Sequence, residues 1–228
     1  MNKFLQMQKR VYNHDASMWS LQNRDPVVGT YDLHNEFPDY DEYLFPKIDT
    51  KDMIALEYGC GPGRNLIKFK DKFKRIDGVD IGEINLLNAR TNLAVAGVED
   101  YNLFVTTGDN VPREDNSYDM VFSVICLQHV CVHDIRMKIK TDIYRVLKEG
   151  GYFCFQMGFG KERQYSVSYY DNFYDAPSTN GLMDTRIEDE KYLIEDLEKI
   201  GFKNIKYNIA RVGPGDLHPN WIWVQAQK

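Results

Sequence analysis

The chain has 228 residues, 43% of them hydrophobic and 27% charged, with a formal net charge of −6. That length suits one α/β domain with appendages, and the acidic balance excludes the broad basic face that tight, unspecific nucleic-acid binding requires. The four cysteines, Cys60, Cys126, Cys131 and Cys154, stand singly, without zinc or redox spacing, which predicts a reduced, cytoplasmic protein and no metal site. In chain order, residues 1–47 open with helical spacing and no signal-peptide core, then enter the aromatic, acidic stretch Glu36 to Pro46, whose prolines argue against one continuous helix. From residue 53 onward strand-like apolar runs alternate with helical periodicity, the pattern of a parallel sheet wrapped by helices. Strands are expected near 53–58, 75–80, 102–107, 118–125 and 152–158. The clearest helix runs from His133 to Lys148, with Ile135, Ile139, Ile143, Val146 and Leu147 on one face and Gly150-Gly151 as its stop. Residues 160–186 break the alternation with Tyr165, Tyr169, Tyr170, Phe173 and Tyr174 in polar sequence, as an aromatic lid or satellite core would. A second amphipathic helix near 187–200 ends at Gly201, and strands at 202–210 and 221–226 close the chain. No apolar run approaches the roughly 18 residues of a membrane span.

The most informative segment is Ala55-Leu-Glu-Tyr-Gly-Cys-Gly-Pro-Gly-Arg-Asn65, which joins a strand to a helix through glycines at every second position. Glycines there permit a tight turn and close approach of a ligand to the backbone. Asp80 follows Gly59 by 21 residues, where the second strand of a βαβ unit delivers an acid to a ribose. Position 64 is Arg, so the dinucleotide G-x-G-x-x-G fingerprint is not met, and no P-loop Gly-Lys-Ser/Thr follows.

Glu57-x-Gly59-x-Gly61-x-Gly63 resembles motif I of the class I S-adenosylmethionine-dependent methyltransferases, and the likeness covers roughly residues 50–228. The resemblance implies a Rossmann-like, doubly wound, seven-stranded sheet, mostly parallel, with helices on both faces and the last strand antiparallel between the two before it. It divides the chain into an N-terminal cap, 1–47, and a methyltransferase domain, 48–228, with a lid-like insertion at about 160–186. It implies S-adenosylmethionine as cofactor and S-adenosylhomocysteine as product. The residues it assigns to the cofactor are Glu57, Tyr58, Gly59, Cys60, Gly61, Gly63 and Asn65 around the first turn, Asp80 and Ile81 after the second strand, and Asp109, Asn110 and Val111 at the adenine. Cys126 and Leu127 would line the methionine arm, while Tyr12 and Trp19 match an aromatic cap that shields the sulfonium. The glycine-turn amides are expected to face the amino-acid end of the cofactor.

His129, in the loop after Tyr118 to Ser123, is the one side chain suited to acid/base catalysis, with packing as its alternative role. Methyl transfer from a sulfonium needs alignment and exclusion of water more than reactive side chains. The reading is therefore transfer to a hydroxyl or amine of a small molecule, a metabolite or sugar derivative. No DNA and no membrane partner is implied, and a homodimer is allowed. The alternatives are methylation of a protein or RNA, with Lys68, Lys70, Lys72, Lys74 and Arg75 as a basic patch, or a non-catalytic S-adenosylmethionine-binding protein of the same fold.

Overall fold

The computed structural model describes residues 2–18, 41–160, 166–175, 184–212 and 218–228. In chain order these form α1 (Lys3–Ser17), α2 (Asp41–Leu44), β1 (Ile54–Tyr58), α3 (Arg64–Lys68), β2 (Arg75–Asp80), α4 (Glu83–Val95), β3 (Leu103–Val105) and β4 (Tyr118–Ser123). A single 3-10 turn, Leu127–His129, leads to α5 (His133–Val146), β5 (Leu147–Phe159), β6 (Ser166–Ser168), β7 (Asp184–Arg186), α6 (Lys191–Ile200), β8 (Lys203–Arg211) and β9 (Asn220–Gln227). Seven strands make one sheet in the order β3-β2-β1-β4-β5-β9-β8, while β6 and β7 pair separately in parallel. Strands β1 to β5 run parallel, and β9 lies antiparallel between β5 and β8. Strand order reverses between β1 and β4. In such sheets the crevice outside the carboxyl ends of those two strands is the natural ligand site.

Alternation along the central strands builds a core on each face of the sheet. Leu56, Val121, Phe153, Phe155, Ile222 and Val224 pack with α5 and α6, joined there by Phe4 and Leu5 of α1. Ala55, Met120, Phe122, Cys154, Trp221 and Trp223 point the other way, against α2, α3 and α4. On that second face Phe45, just after α2, sets its ring edge-on to Phe69, Phe73 and Phe122 at centroid distances of 4.9, 5.3 and 5.4 Å, a geometry that aromatic quadrupoles favour.

Three boundaries differ from the sequence reading. Helix α5 stops at Val146, and Gly150-Gly151 belong to β5, where the pairing with β4 shifts register between Tyr118 and Met120. Gly150 has φ +76°, so it makes an irregularity in a strand, where it was expected to end a helix. Residues 184–187 go to β7 and an isolated bridge between Phe159 and Ile187, which delays the following helix to Lys191. β3 is confined to Leu103–Val105 because Thr106 turns its side chain into the next loop. Among the described residues no helix is long and apolar enough to cross a membrane.

Candidate active site

β1 carries Glu57 and Tyr58 to the sheet's carboxyl edge, and Gly59, Gly61 and Gly63 then bend the chain into α3 with φ values of +77°, +50° and +88°. A Cβ on Gly59 would lie 2.2 Å from the Cys126 Sγ, so the loops after β1 and β4 touch there and only glycine fits. The turn amides do not face outward as expected. Gly59 and Cys60 N–H donate to the Val79 carbonyl at 2.8 and 3.1 Å, Gly61 N–H donates to Asp80 Oδ2 at 2.9 Å, and Gly63 N–H donates to the Cys60 carbonyl at 3.0 Å. These amides tie the first loop to β2, and what the loop presents to a ligand is shape.

Two carboxylates stand at this edge in different states. Asp80 accepts from Gly61 N–H through Oδ2, and from Gly82 N–H at 2.7 Å and Asn85 Nδ2 at 3.3 Å through Oδ1. Burial raises its pKa, and those donors hold it back. Glu57 is almost wholly buried, and only its Oε1 is served, by Asn65 Nδ2 at 2.5 Å. Its Oε2 is buried with no partner, and burial pushes its pKa up to about 8 against the Asn65 hydrogen bond and the nearby Arg64 charge. A buried acceptor left in this state is satisfied only by a donor brought in from outside.

α1 closes the space above. Asn2 caps it through Leu5 N–H, and Phe4 and Leu5 anchor it in the core. Gln8 Nε2 donates to the His129 carbonyl at 2.8 Å, Asn13 Oδ1 accepts from Ile84 N–H at 3.0 Å, and Asn88 Nδ2 donates to the Ala16 carbonyl at 3.0 Å. The helix is thereby bound to both α4 and the 3-10 turn. Between it and the sheet edge lies a cavity of about 600 Å³, within the range of small-molecule sites. Tyr12, Glu57, Tyr58, Gly59, Cys60, Gly61, Asn65, Asp80, Ile81, Cys126 and His129 all line it. Burial, with Cys126 and Asp184 nearby, raises the Tyr12 phenol pKa and keeps it protonated.

At the far end His129 Nδ1 lies 2.7 Å from Asp184 Oδ1. Asp184 Oδ2 in turn meets His218 Nε2 at 3.0 Å.

The site and fold have counterparts among known proteins. Residues 55–151, from β1 into β5, match a family model described as a methyltransferase domain. Through this segment the chain is similar to the S-adenosylmethionine-dependent methyltransferases. The probable methyltransferase ltbC of Aspergillus luteorubrus is 30% identical over 122 residues, which are 48% of this chain and 41% of that protein. The match thus spans about two fifths of this curated relative's length. A crystal structure of a S-adenosylmethionine-dependent methyltransferase from Aquifex aeolicus shares the fold, with TM-score 0.59 at 17% identity over 90% of this chain and 99% of that one. So does Haemonchus contortus phosphoethanolamine N-methyltransferase 2, solved with phosphomonomethylethanolamine and S-adenosylhomocysteine, with TM-score 0.58 at 19% identity over 80% of this chain and 50% of that one.

The residues of this cavity fit S-adenosylmethionine, the methyl donor of the proteins it resembles. The orphaned Oε2 of Glu57 suits an ammonium, and nothing lies within 4 Å of where a Cβ on Gly61 would stand, which leaves room for a ligand against the backbone. Some expected residues stand elsewhere. Gly63 packs its Cα side against Ala89, and Leu127 is wholly in the core. Asp109, Asn110 and Val111 lie beside the cavity, whose wall there is made by Thr106 and Gly108. Val111 N–H donates to Asp142, and Asn110 Oδ1 accepts from Thr106 and Thr107. Trp19 falls outside the described residues. Sequence reasoning missed Phe4, Gln8, Asp15, Arg64 and Asn85 on the cavity wall. Arg64 had a signal, since a charge directly behind three turn glycines is poorly placed for solvent.

Proposed function

We propose that this protein transfers a methyl group from S-adenosylmethionine to a hydroxyl or amine of a small molecule, releasing S-adenosylhomocysteine. One observation carries the reading: a single cavity, covered by α1, joins the Glu57–Asp80 end to His129. At the first end Glu57 Oε2 would receive the donor's ammonium, Arg64 would face its carboxylate, and Asp80 would accept from the ribose through its remaining lone pairs. Ile81, Thr106 and Gly108 would border the adenine, while Tyr12 and Cys126 would flank the sulfonium. Asp15 and Asp80 against Arg64 give that wall an acidic balance which suits a cationic sulfonium, and Glu57 adds to it once a bound ammonium draws off its proton. A diphosphate-bearing dinucleotide would meet those carboxylates, and the Gly59, Cys60, Gly61 and Gly63 amides are already engaged by Val79, Asp80 and Cys60. The cysteines are all free, in keeping with a cytoplasmic setting.

Calorimetric titration with S-adenosylmethionine, S-adenosylhomocysteine and NAD tests the reading. Micromolar binding of the first two and none of NAD is expected; binding of NAD alone, or of none, would reject it. Release of S-adenosylhomocysteine with a panel of phenols, alcohols and amines then identifies the acceptor.

A further inference from the structure

Three segments distant in sequence meet behind the cavity. His129 comes from the turn after β4, Asp184 from the start of β7, and His218 from the connection between β8 and β9. Asp184 is fully buried, His218 keeps 2% of its side chain exposed, and His129 keeps 18% at the cavity wall. The carboxylate spans the two rings, Oδ1 at 2.7 Å from His129 Nδ1 and Oδ2 at 3.0 Å from His218 Nε2, with Gln128 Nε2 also near Oδ2 at 3.4 Å. The sheet is shaped to admit this arrangement. A Cβ on Gly158 of β5 would fall 2.3 Å from atoms of the His218 ring, so the imidazole occupies space that only glycine leaves. A fully buried acid is costly unless it is paired, and here it links its partners to the imidazole of His129, which lines the cavity.

We propose that Asp184 and His218 are positioning residues that hold His129 as a general base, so that the acceptor is a group that loses a proton when methylated. This inference rests on the methyl-transfer reading above. An ionised carboxylate only accepts hydrogen bonds, so it takes the Nδ1–H of His129 and the Nε2–H of His218 and fixes the two rings as opposite tautomers. The basic lone pair of His129 is thereby placed on Nε2. In the transfer, the acceptor's electron pair forms the new bond to the methyl carbon, the C–S pair stays on sulfur, and the acceptor proton passes to His129 Nε2 and then to solvent. The site loses the positive charge of the sulfonium as it gains that of the imidazolium, and Asp184 stabilises the second. Acceptors without a removable proton, such as thioethers or tertiary amines, would not use this apparatus.

The chain contains five histidines, so long-range proton–nitrogen spectra of the full-length protein labelled at histidine are tractable. At mildly alkaline pH, where free imidazole is neutral, His129, assigned through His129→Gln, is expected as the Nδ1–H tautomer and His218 as the Nε2–H tautomer. Asp184→Ala should return His129 to the Nε2–H form preferred in solution while S-adenosylhomocysteine affinity stays within about threefold. Should that variant fail to fold, the wild-type tautomers still decide. The kinetic readout separates a base from a structural histidine: with the acceptor found by the panel, kcat should fall about 100-fold or more in His129→Gln and in Asp184→Asn, with the donor KM unchanged. An Nε2–H His129 in the wild type, an undiminished kcat in His129→Gln, or efficient turnover of a thioether overturns the proposal. Loss of S-adenosylhomocysteine binding by the wild type would instead sink the methyl-transfer reading itself.

Discussion

At the scale of single residues, Glu57 carries the most direct consequence of burial. Its pKa lies near 8 in the fold against an ordinary 4.5, so the unliganded protein holds a proton there that the unfolded chain has lost. The sign follows: as pH rises from 4.5 to 8 the unliganded fold loses stability, by at most about 1.4 kcal/mol per pH unit. An ammonium placed against Oε2 reverses the preference and draws the carboxyl to its ionised form. Binding of S-adenosylmethionine at about pH 6.5, where an α-amino group is itself charged, is therefore expected to release most of one proton. Titration in buffers of different ionisation enthalpy measures this, and Glu57→Gln should abolish the release and weaken binding. A wild-type heat independent of buffer would refute the assignment. Glu57, the glycines and Asp80 were legible because their spacing within one βαβ unit is local. Asp184 and His218 were not, since they reach their partners across 55 and 34 positions and no local pattern announces such contacts.

At the scale of elements, period and turn chemistry made most of the strands readable, while the antiparallel setting of the final strand came from the resemblance to the methyltransferase sheet. The misreading at Gly150-Gly151 has a physical cause: helix stop and strand irregularity both demand a positive φ, and only pairing with β4 distinguishes them. α1 shows the same limit from the other side. Its helical spacing was visible, but its burial came from surfaces elsewhere in the chain. Phe4 is wholly buried in the core formed with β1, β4 and α5, so this helix is both a structural plug and the cavity's cover. Phe4→Ala should cost about 3–5 kcal/mol and lower the melting temperature by roughly 10 °C for a chain of this size. Thermal unfolding with and without S-adenosylhomocysteine checks it. A melting temperature equal to the wild type would mean that α1 only rests on the domain.

At the scale of the whole molecule, the amino-terminal half supplies the Glu57–Asp80 end of the cavity and the carboxyl-terminal half supplies the His129–Asp184–His218 cluster. What keeps the second half in register is a buried polar network on α5 and α6. Asp196 accepts from Lys140 Nζ at 2.6 Å, from the Tyr169 hydroxyl at 2.5 Å and from His133 Nε2 at 3.1 Å. Arg136 reaches the Val130 and Tyr169 carbonyls and the Thr185 hydroxyl, which ties β7 and the residues after β6 to the cavity wall. Burial lowers the Lys140 pKa to about 8 and works against ionisation of Asp196, but the bonds from His133, Lys140 and Tyr169 prevail and hold the Asp196 carboxyl well below its ordinary range. Removing one charge of such a buried pair strands the other, so Asp196→Asn should destabilise the protein by about 3–5 kcal/mol at neutral pH. The pH dependence identifies the cause. A depressed carboxyl gives its full stabilisation above its unfolded pKa of 3.8 and loses it as pH falls towards the folded value. The gap between wild type and Asp196→Asn should therefore narrow below 3.8 by up to about 1.4 kcal/mol per pH unit, as denaturant unfolding at a series of pH values would record. A gap that stays constant into acid would show that shape, and not the charge of Asp196, fixes this half of the molecule.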